Sequence, residues 1–187
     1  GQSPYAGRGE WIAARTGAPL VRVEDAFLRS VLPGRARGAR GTLGLLIDRS
    51  GGVHFDPSAP SDLETLLATH PLDDPVLLER ARTGIAFLRA QHLSKYTGFD
   101  PDTQAPEPGY VLVIDQTAGD ASVTASGADA GTFRAMLAAA RAEHPGARIV
   151  IRRHPETAMG LRSGHFSDAD LAGVKVCDAA LSPWVLL

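Results

Sequence analysis

A single cysteine, Cys177, in 187 residues rules out an intramolecular disulfide framework and any zinc centre built on several thiolates. It reads as a core thiol and fits a reducing compartment. No apolar run approaches the roughly 20 residues needed to cross a bilayer as a helix, and no signal-peptide pattern opens the chain, so a soluble protein is expected. His54, His70, His92, His144, His154 and His165 never fall at a His-x-x-x-His or comparable ligand spacing, so no histidine metal centre is expected. The P-loop, the Gly-x-Gly-x-x-Gly fingerprint and the Gly-x-Ser-x-Gly elbow are absent as well. Neither sign of charge dominates: 19 basic residues face 21 acidic ones, which gives no reason to expect nucleic acid or an anionic membrane as partner.

What is present is ordinary globular content, 44% hydrophobic and 21% charged, enough for one substantial core or two small ones. The chain opens on Gly1-Gln2-Ser3 and stops on the apolar Trp184-Val-Leu-Leu187, so it reads as part of a longer protein. Its central stretch is Tyr110-Val-Leu-Val-Ile114, a short, mostly β-branched run framed by Pro108-Gly109, which has the pattern of a strand covered on both faces. Asp115, Gln116, Asp120 and Ser122 follow it directly, at the edge of a parallel sheet where ligands bind. An aspartate there also serves simply to cap a turn or helix.

In chain order, Arg8 to Arg15 carries a helical pattern stopped by Thr16-Gly17, and Pro19 to Val23 reads as a strand delivering Glu24 and Asp25. Arg35, Arg37 and Arg40 sit between glycines 34 and 41 in a basic loop that suits either phosphate or solvent. Thr42 to Ile47 and Val53 to Phe55 read as a hairpin about Asp48-Arg-Ser-Gly-Gly52. Ser61-Asp-Leu-Glu64 is a capping box opening a helix with Leu63, Leu66 and Leu67 on a buried face. Pro75 heads a longer helix to about Leu93, with Val76, Leu77, Ala81, Ile85 and Leu88 on its apolar side. The proline- and glycine-rich residues 98–109 mark a boundary, giving domains 1–105 and 106–187.

Beyond it, Gly131 to Glu143 is an alanine-rich helix and Arg148 to Ile151 a second buried strand, so Tyr110 to Ile151 is a β-loop-α-β unit with parallel strands. Ser167 to Asp170 starts a short helix and Val174 to Cys177 is a third strand. Parallel pairing puts Asp115 to Ser122 beside Arg152, Arg153, His154, Pro155 and Glu156. Carboxylates facing arginine and histidine suit a phosphorylated substrate, with Arg and His⁺ on phosphate oxygens and a carboxylate as base or nucleophile.

Several pieces in this order resemble the capsular polysaccharide biosynthesis and export family of β-Kdo glycosyltransferases. They are Val23-Glu-Asp-Ala-Phe-Leu-Arg-Ser30, Leu93-Ser-Lys-Tyr96, Val111-Leu-Val-Ile-Asp-Gln116 with Asp120-Ala-Ser122, His154-Pro155, and Gly160-Leu-Arg-Ser-Gly-His165. The resemblance runs from about residue 19 to 178. It implies an α/β fold of GT-B type, with two Rossmann-like lobes of which parts are missing: residues 1–105 on the acceptor side, residues 106–187 on the nucleotide-sugar side. It implies transfer of Kdo from CMP-Kdo to a lipid-linked acceptor, with Asp120 as nucleophile and with Glu24 and Asp25 as its acidic pair. Gln116, Ser122, Arg153, His154 and Pro155 would bind substrate. It implies no cofactor and no metal, a cytoplasmic location with at most peripheral membrane association, and capsule assembly or export proteins as possible partners. Ala26 stands where the family has glycine, and the family's later nucleotide-binding stretch has no counterpart, so an incomplete active site is expected. A non-catalytic assembly module of capsule export and a phosphate-ester enzyme are the alternatives.

Overall fold

The computed structural model describes residues 6–34, 44–100, 102–177 and 180–186. The basic loop of Arg35, Arg37 and Arg40 lies outside the described residues. The described residues within 6–29 and 44–95 form one compact unit, and those within 30–34 and 96–186 form a second. The sequence places a boundary at 98–109; packing divides the chain at 95/96 and groups the stretch from Ser30 with the later residues.

The first unit contains α1 (Ala6–Thr16), β1 (Arg22–Asp25), β2 (Leu45–Asp48), α2 (Asp62–Thr69) and α3 (Pro75–Ala90). β1 and β2 pair antiparallel, with Val23 opposite Ile47 and Asp25 opposite Leu45. This corrects the strand expected over residues 19–23: Glu24 and Asp25 lie inside β1, because pairing with Leu46 and Leu45 carries the ladder through them. The expected hairpin of residues 42–47 with 53–55 is replaced as well. Asp48 accepts from the amide and hydroxyl of Ser50 at 2.9 and 2.6 Å and from the Asp62 amide at 2.7 Å, so the chain after β2 turns towards α2. Val53 then bridges only to Asp56. Arg22 binds Glu10 at 2.7 Å and also donates to the Gly51 carbonyl, tying α1 to the strand and its turn.

The predicted capping box forms: the Glu64 amide donates to the Ser61 hydroxyl at 3.2 Å, and Glu64 accepts from the Ser61 amide at 2.8 Å. The buried faces predicted for α2 and α3 do not. Leu66, Leu67, Val76, Ile85 and Phe87 are exposed, and neither helix buries a residue. Apolar periodicity reports which face is prepared for burial, and within this unit no described element covers it. No helix among the described residues is long and apolar enough to cross a membrane.

The second unit is built on β3 (Tyr110–Ile114), α4 (Ala121–Ala125), α5 (Ala130–Glu143), β4 (Arg148–Arg152), α6 (Pro155–Ala158) and β5 (Lys175–Val176), followed by a 3₁₀ turn at Pro183–Val185. The strands lie in the order β3-β4-β5 and both pairs are parallel, as the β-loop-α-β reading requires. Side chains alternate across β4. Ile149 and Ile151 pack with Val113 and Leu137 on one face; Val150 packs with Cys177, Leu181 and Leu186 on the other. Ile151 and Val150 are wholly buried, so the sheet is covered on both sides, which is why these strands read as unbroken apolar runs. The helix expected from Ser167 is instead a turn, held by Asp170 accepting from the Ser167 hydroxyl and amide and ended by Gly173 at φ 73°. α4, which the sequence leaves as loop, is only five residues long.

Burial pushes the Cys177 thiol up, against a smaller opposite pull from the Arg152 guanidinium and Lys175. A raised value in the folded state gives stability that is fully present below the unfolded value of roughly 8.5 and is lost as pH rises through the folded one. Cys177→Ala should therefore flatten the alkaline decline of unfolding free energy, read by urea titration between about pH 7 and 10. Equal slopes for both proteins would contradict this.

Candidate functional site

The parallel register fixes where the site residues leave the sheet. Ile114 is opposite Arg152, and the Asp115 amide donates to the Arg152 carbonyl at 2.8 Å as the last rung. Residues from 115 and from 153 onward therefore leave the same edge of the sheet.

The first exit is a chain of short-range caps. Asp115 Oδ1 accepts from the Gln116 amide at 2.8 Å, and Gln116 Oε1 accepts from the Thr117 amide at 2.9 Å. The chain then reverses through Gly119, whose φ of 70° lies in the left-handed region that glycine takes without strain. The reversal delivers Asp120 as N-cap of α4. Its Oδ1 accepts from the Ser122 amide at 3.0 Å and the Ser122 hydroxyl at 2.6 Å. Asp120 and Ser122 are thus in direct contact, and the carboxylate is held in one orientation by the helix it caps.

The second exit carries Arg153, His154 and Pro155. Pro155 occupies the first position of α6, where its missing N–H costs nothing, and His154 caps the helix. His154 Nδ1 accepts from the Glu156 amide at 3.1 Å, so in the neutral ring the proton sits on Nε2. The buried Tyr96 ring meets the imidazole edge-on, with centroids 5.7 Å apart and planes at 89°. Arg153 Nε is buried without a partner among the described residues. Arg152 is different: it donates to the Leu181 carbonyl at 2.8 Å, and burial draws its value down, so it supports the structure rather than the site.

A third segment, which the sequence marks only through resemblance, joins the two exits. Leu161 and Arg162 donate their amides to the Glu156 carbonyl at 2.8 and 3.3 Å, and the Arg162 guanidinium lies 3.6 Å from the Glu156 carboxylate. The same guanidinium donates to the Ala118 carbonyl at 2.9 Å, while the Ala118 amide donates to the Ser163 carbonyl at 2.8 Å. His165 stacks on Phe133 with centroids 4.1 Å apart. Periodicity gives no sign of such a segment, because its links are backbone carbonyls and one arginine.

Gln116, Asp120, Ser122, Arg153, His154 and Pro155 therefore share one sheet edge in the second unit. Glu24 and Asp25 lie in β1 of the first. Glu24 Oε1 accepts from the Asp25 amide at 3.0 Å, and Asp25 pairs with Arg29 four residues on. Among the described residues no cluster of three or more His, Cys, Asp or Glu is arranged to hold a metal ion.

A family model described as "Capsule polysaccharide biosynthesis protein" matches residues 83–175, which run from within α3 to the first residue of β5 and include every candidate site residue of the second unit. Over these residues, just under half of its length, the chain is similar to that family. Capsule polysaccharide modification protein LipA of Neisseria meningitidis serogroup B is 32% identical over 173 residues, 89% of this chain and 24% of that protein. Lipopolysaccharide-processing protein LpsZ of Rhizobium meliloti is 36% identical over 169 residues, 87% of this chain and 37% of that protein. The structure of Thermosulfurimonas dismutans KpsC, beta Kdo 2,4 transferase, matches with a TM-score of 0.83 and 34% identity, covering 98% of this chain and 57% of that one. The fold of this chain is thus the mixed α/β fold of that KpsC structure, with the parallel sheet and both exits inside the matched region. The chain spans about a quarter of one curated relative, just over a third of the other, and just over half of the solved chain.

Because Asp120 caps α4, Asp120→Ala should lower unfolding stability by about 0.5–2 kcal/mol, whereas Asp120→Asn, an equally good cap, should stay within a few tenths. Denaturant titration measures both, and equal losses would contradict the capping role.

Proposed function

We propose that this chain is a retaining β-Kdo glycosyltransferase, or the part of one that carries the nucleophile and phosphate-binding turns, moving Kdo from CMP-Kdo to a lipid-linked acceptor. The observation that carries the proposal is the pairing, on one sheet edge, of an oriented Asp120-x-Ser122 turn with an Arg153-His154-Pro155 turn, in a chain folded like a β-Kdo transferase.

In the first step the Asp120 carboxylate attacks the anomeric carbon of Kdo. The bond to the CMP oxygen breaks, and its electron pair leaves on the phosphate. His154 donates through Nε2, and the Arg153 guanidinium, with a buried N–H still to satisfy, lies on the same exit. Both suit the phosphate charge that grows as CMP departs. In the second step an acceptor hydroxyl displaces Asp120, and its proton passes to a general base; Glu24 and Asp25 are the carboxylates proposed for catalysis in the first unit. Two inversions give net retention. Gln116 and Ser122 hold the turn and meet the donor. CMP is a good leaving group already, so no cofactor or metal is assigned a role.

The wider reading is a GT-B arrangement with an acceptor-side lobe in residues 1–105 and a nucleotide-sugar lobe in 106–187. A cytoplasmic site is proposed because the donor is a nucleotide sugar, with at most peripheral association at the inner membrane. The exposed apolar side of α3 favours a second reading, a non-catalytic module that docks onto capsule assembly or export proteins.

Asp120→Asn separates these readings, since it keeps the cap and removes the nucleophile. Incubation with CMP-Kdo should give a Kdo adduct, seen by intact mass, on the unsubstituted chain and none on Asp120→Asn. His154→Ala should cut transfer by about 10²-fold, the typical loss for one charge-stabilising donor. Transfer by Asp120→Asn at an unchanged rate would end the proposal.

A further inference from the structure

Asp115 is 3% exposed, yet its carboxylate does more than end β3. Oδ1 accepts from two amides, Gln116 at 2.8 Å and, fifty residues from Asp115, His165 at 3.1 Å. Oδ2 is buried and has no partner among the described residues. A buried acceptor left unpaired is costly, and a native fold that keeps one calls for an explanation. The neighbour on that side is Gly164. A Cβ there would stand 2.2 Å from Asp115 Oδ2 and 3.1 Å from the Thr157 Cγ2, so only glycine lets the 162–165 segment lie this close. Thr157 Oγ1, Thr117 Oγ1 and His165 Nε2 are likewise buried and unpartnered among the described residues. A buried polar seam thus underlies the two exits, and Asp115 is the acidic member of this set.

We infer that Asp115 is a positioning residue for the transferase site, an inference that rests on the function proposed above. Its carboxylate pins His165, and so holds the 162–165 segment across the end of β3. That segment then fixes the Asp120 turn through both sides of Ala118: the amide to Ser163 and the carbonyl to Arg162. At its other end it is anchored to the Glu156 carbonyl, on the helix that His154 caps. Asp115 therefore sets the separation of nucleophile turn and phosphate turn without touching substrate. Displacement of a catalytic group by about 1 Å costs on the order of 10²-fold in rate, which is the scale expected here.

The test uses the full chain as Asp115→Ala, Asp115→Asn and Gly164→Ala. Amide hydrogen exchange is read first, without substrate. Asp115→Ala and Gly164→Ala should speed exchange about tenfold or more over residues 116–122 and 162–165, while Val150 and Ile151 are unchanged. Asp115→Asn keeps an Oδ1 acceptor for both amides and should stay within about threefold of the unsubstituted chain. In transfer assays the first two variants should lose about 10²-fold in kcat with donor KM within about threefold, and Asp115→Asn should recover most of kcat. Unsubstituted exchange over 116–122 in Asp115→Ala would overturn the inference. So would an Asp115→Asn variant as impaired as Asp115→Ala, since the charge itself would then be at work. An unsubstituted chain that transfers no sugar removes the proposed function alone; the exchange data still decide whether Asp115 holds the Asp120 turn.

Discussion

The hydrogen bond from the Asp115 amide to the Arg152 carbonyl closes the parallel ladder of β3 and β4, and both site turns begin where it ends. A parallel pair has both C-terminal ends on one edge, so two segments thirty-eight residues apart, after Ile114 and Arg152, emerge side by side. The ladder is held by burial. Val150 and Ile151 are fully covered, on opposite faces, and a one-residue slip of β4 would exchange those faces and undo both clusters. Register is therefore set by the core, and the register sets the site.

On that platform each functional side chain is fixed by its own backbone. Asp120 and His154 are both helix caps, and their orientation comes from accepting an amide two residues on. Capping and the proposed chemistry do not compete here: a capping carboxylate keeps one rotamer, and preorganised groups need not rearrange during reaction. The cap that Asp120 forms and the nucleophile role proposed for it use the same geometry.

The second unit was legible in the sequence because its signals are local and strong. β-branched runs at 110–114 and 148–151, Gly146 as a turn, and an alanine-rich helix between them specify a β-loop-α-β unit directly. Less was legible in the first unit. Alternating polar and apolar residues at 22–25 leave the strand end open, and only pairing with Leu45 and Leu46 carries it through Glu24 and Asp25. The apolar sides of α2 and α3 were readable, but periodicity says nothing about what covers them. Asp115 sits at the strand end, where its neighbours in the sequence place it. Its bond to His165, fifty residues away, had no local signal.

A ligand that binds only the folded state protects the amides it orders, and for the CMP-sugar site proposed above those amides lie at two exits. The direct measurement is amide exchange of the full chain with and without excess CMP. Slowed exchange concentrated at 115–122 and 153–157 is the predicted result. No slowing at either exit, or slowing confined to the first unit, would contradict a nucleotide-phosphate site at the ends of β3 and β4.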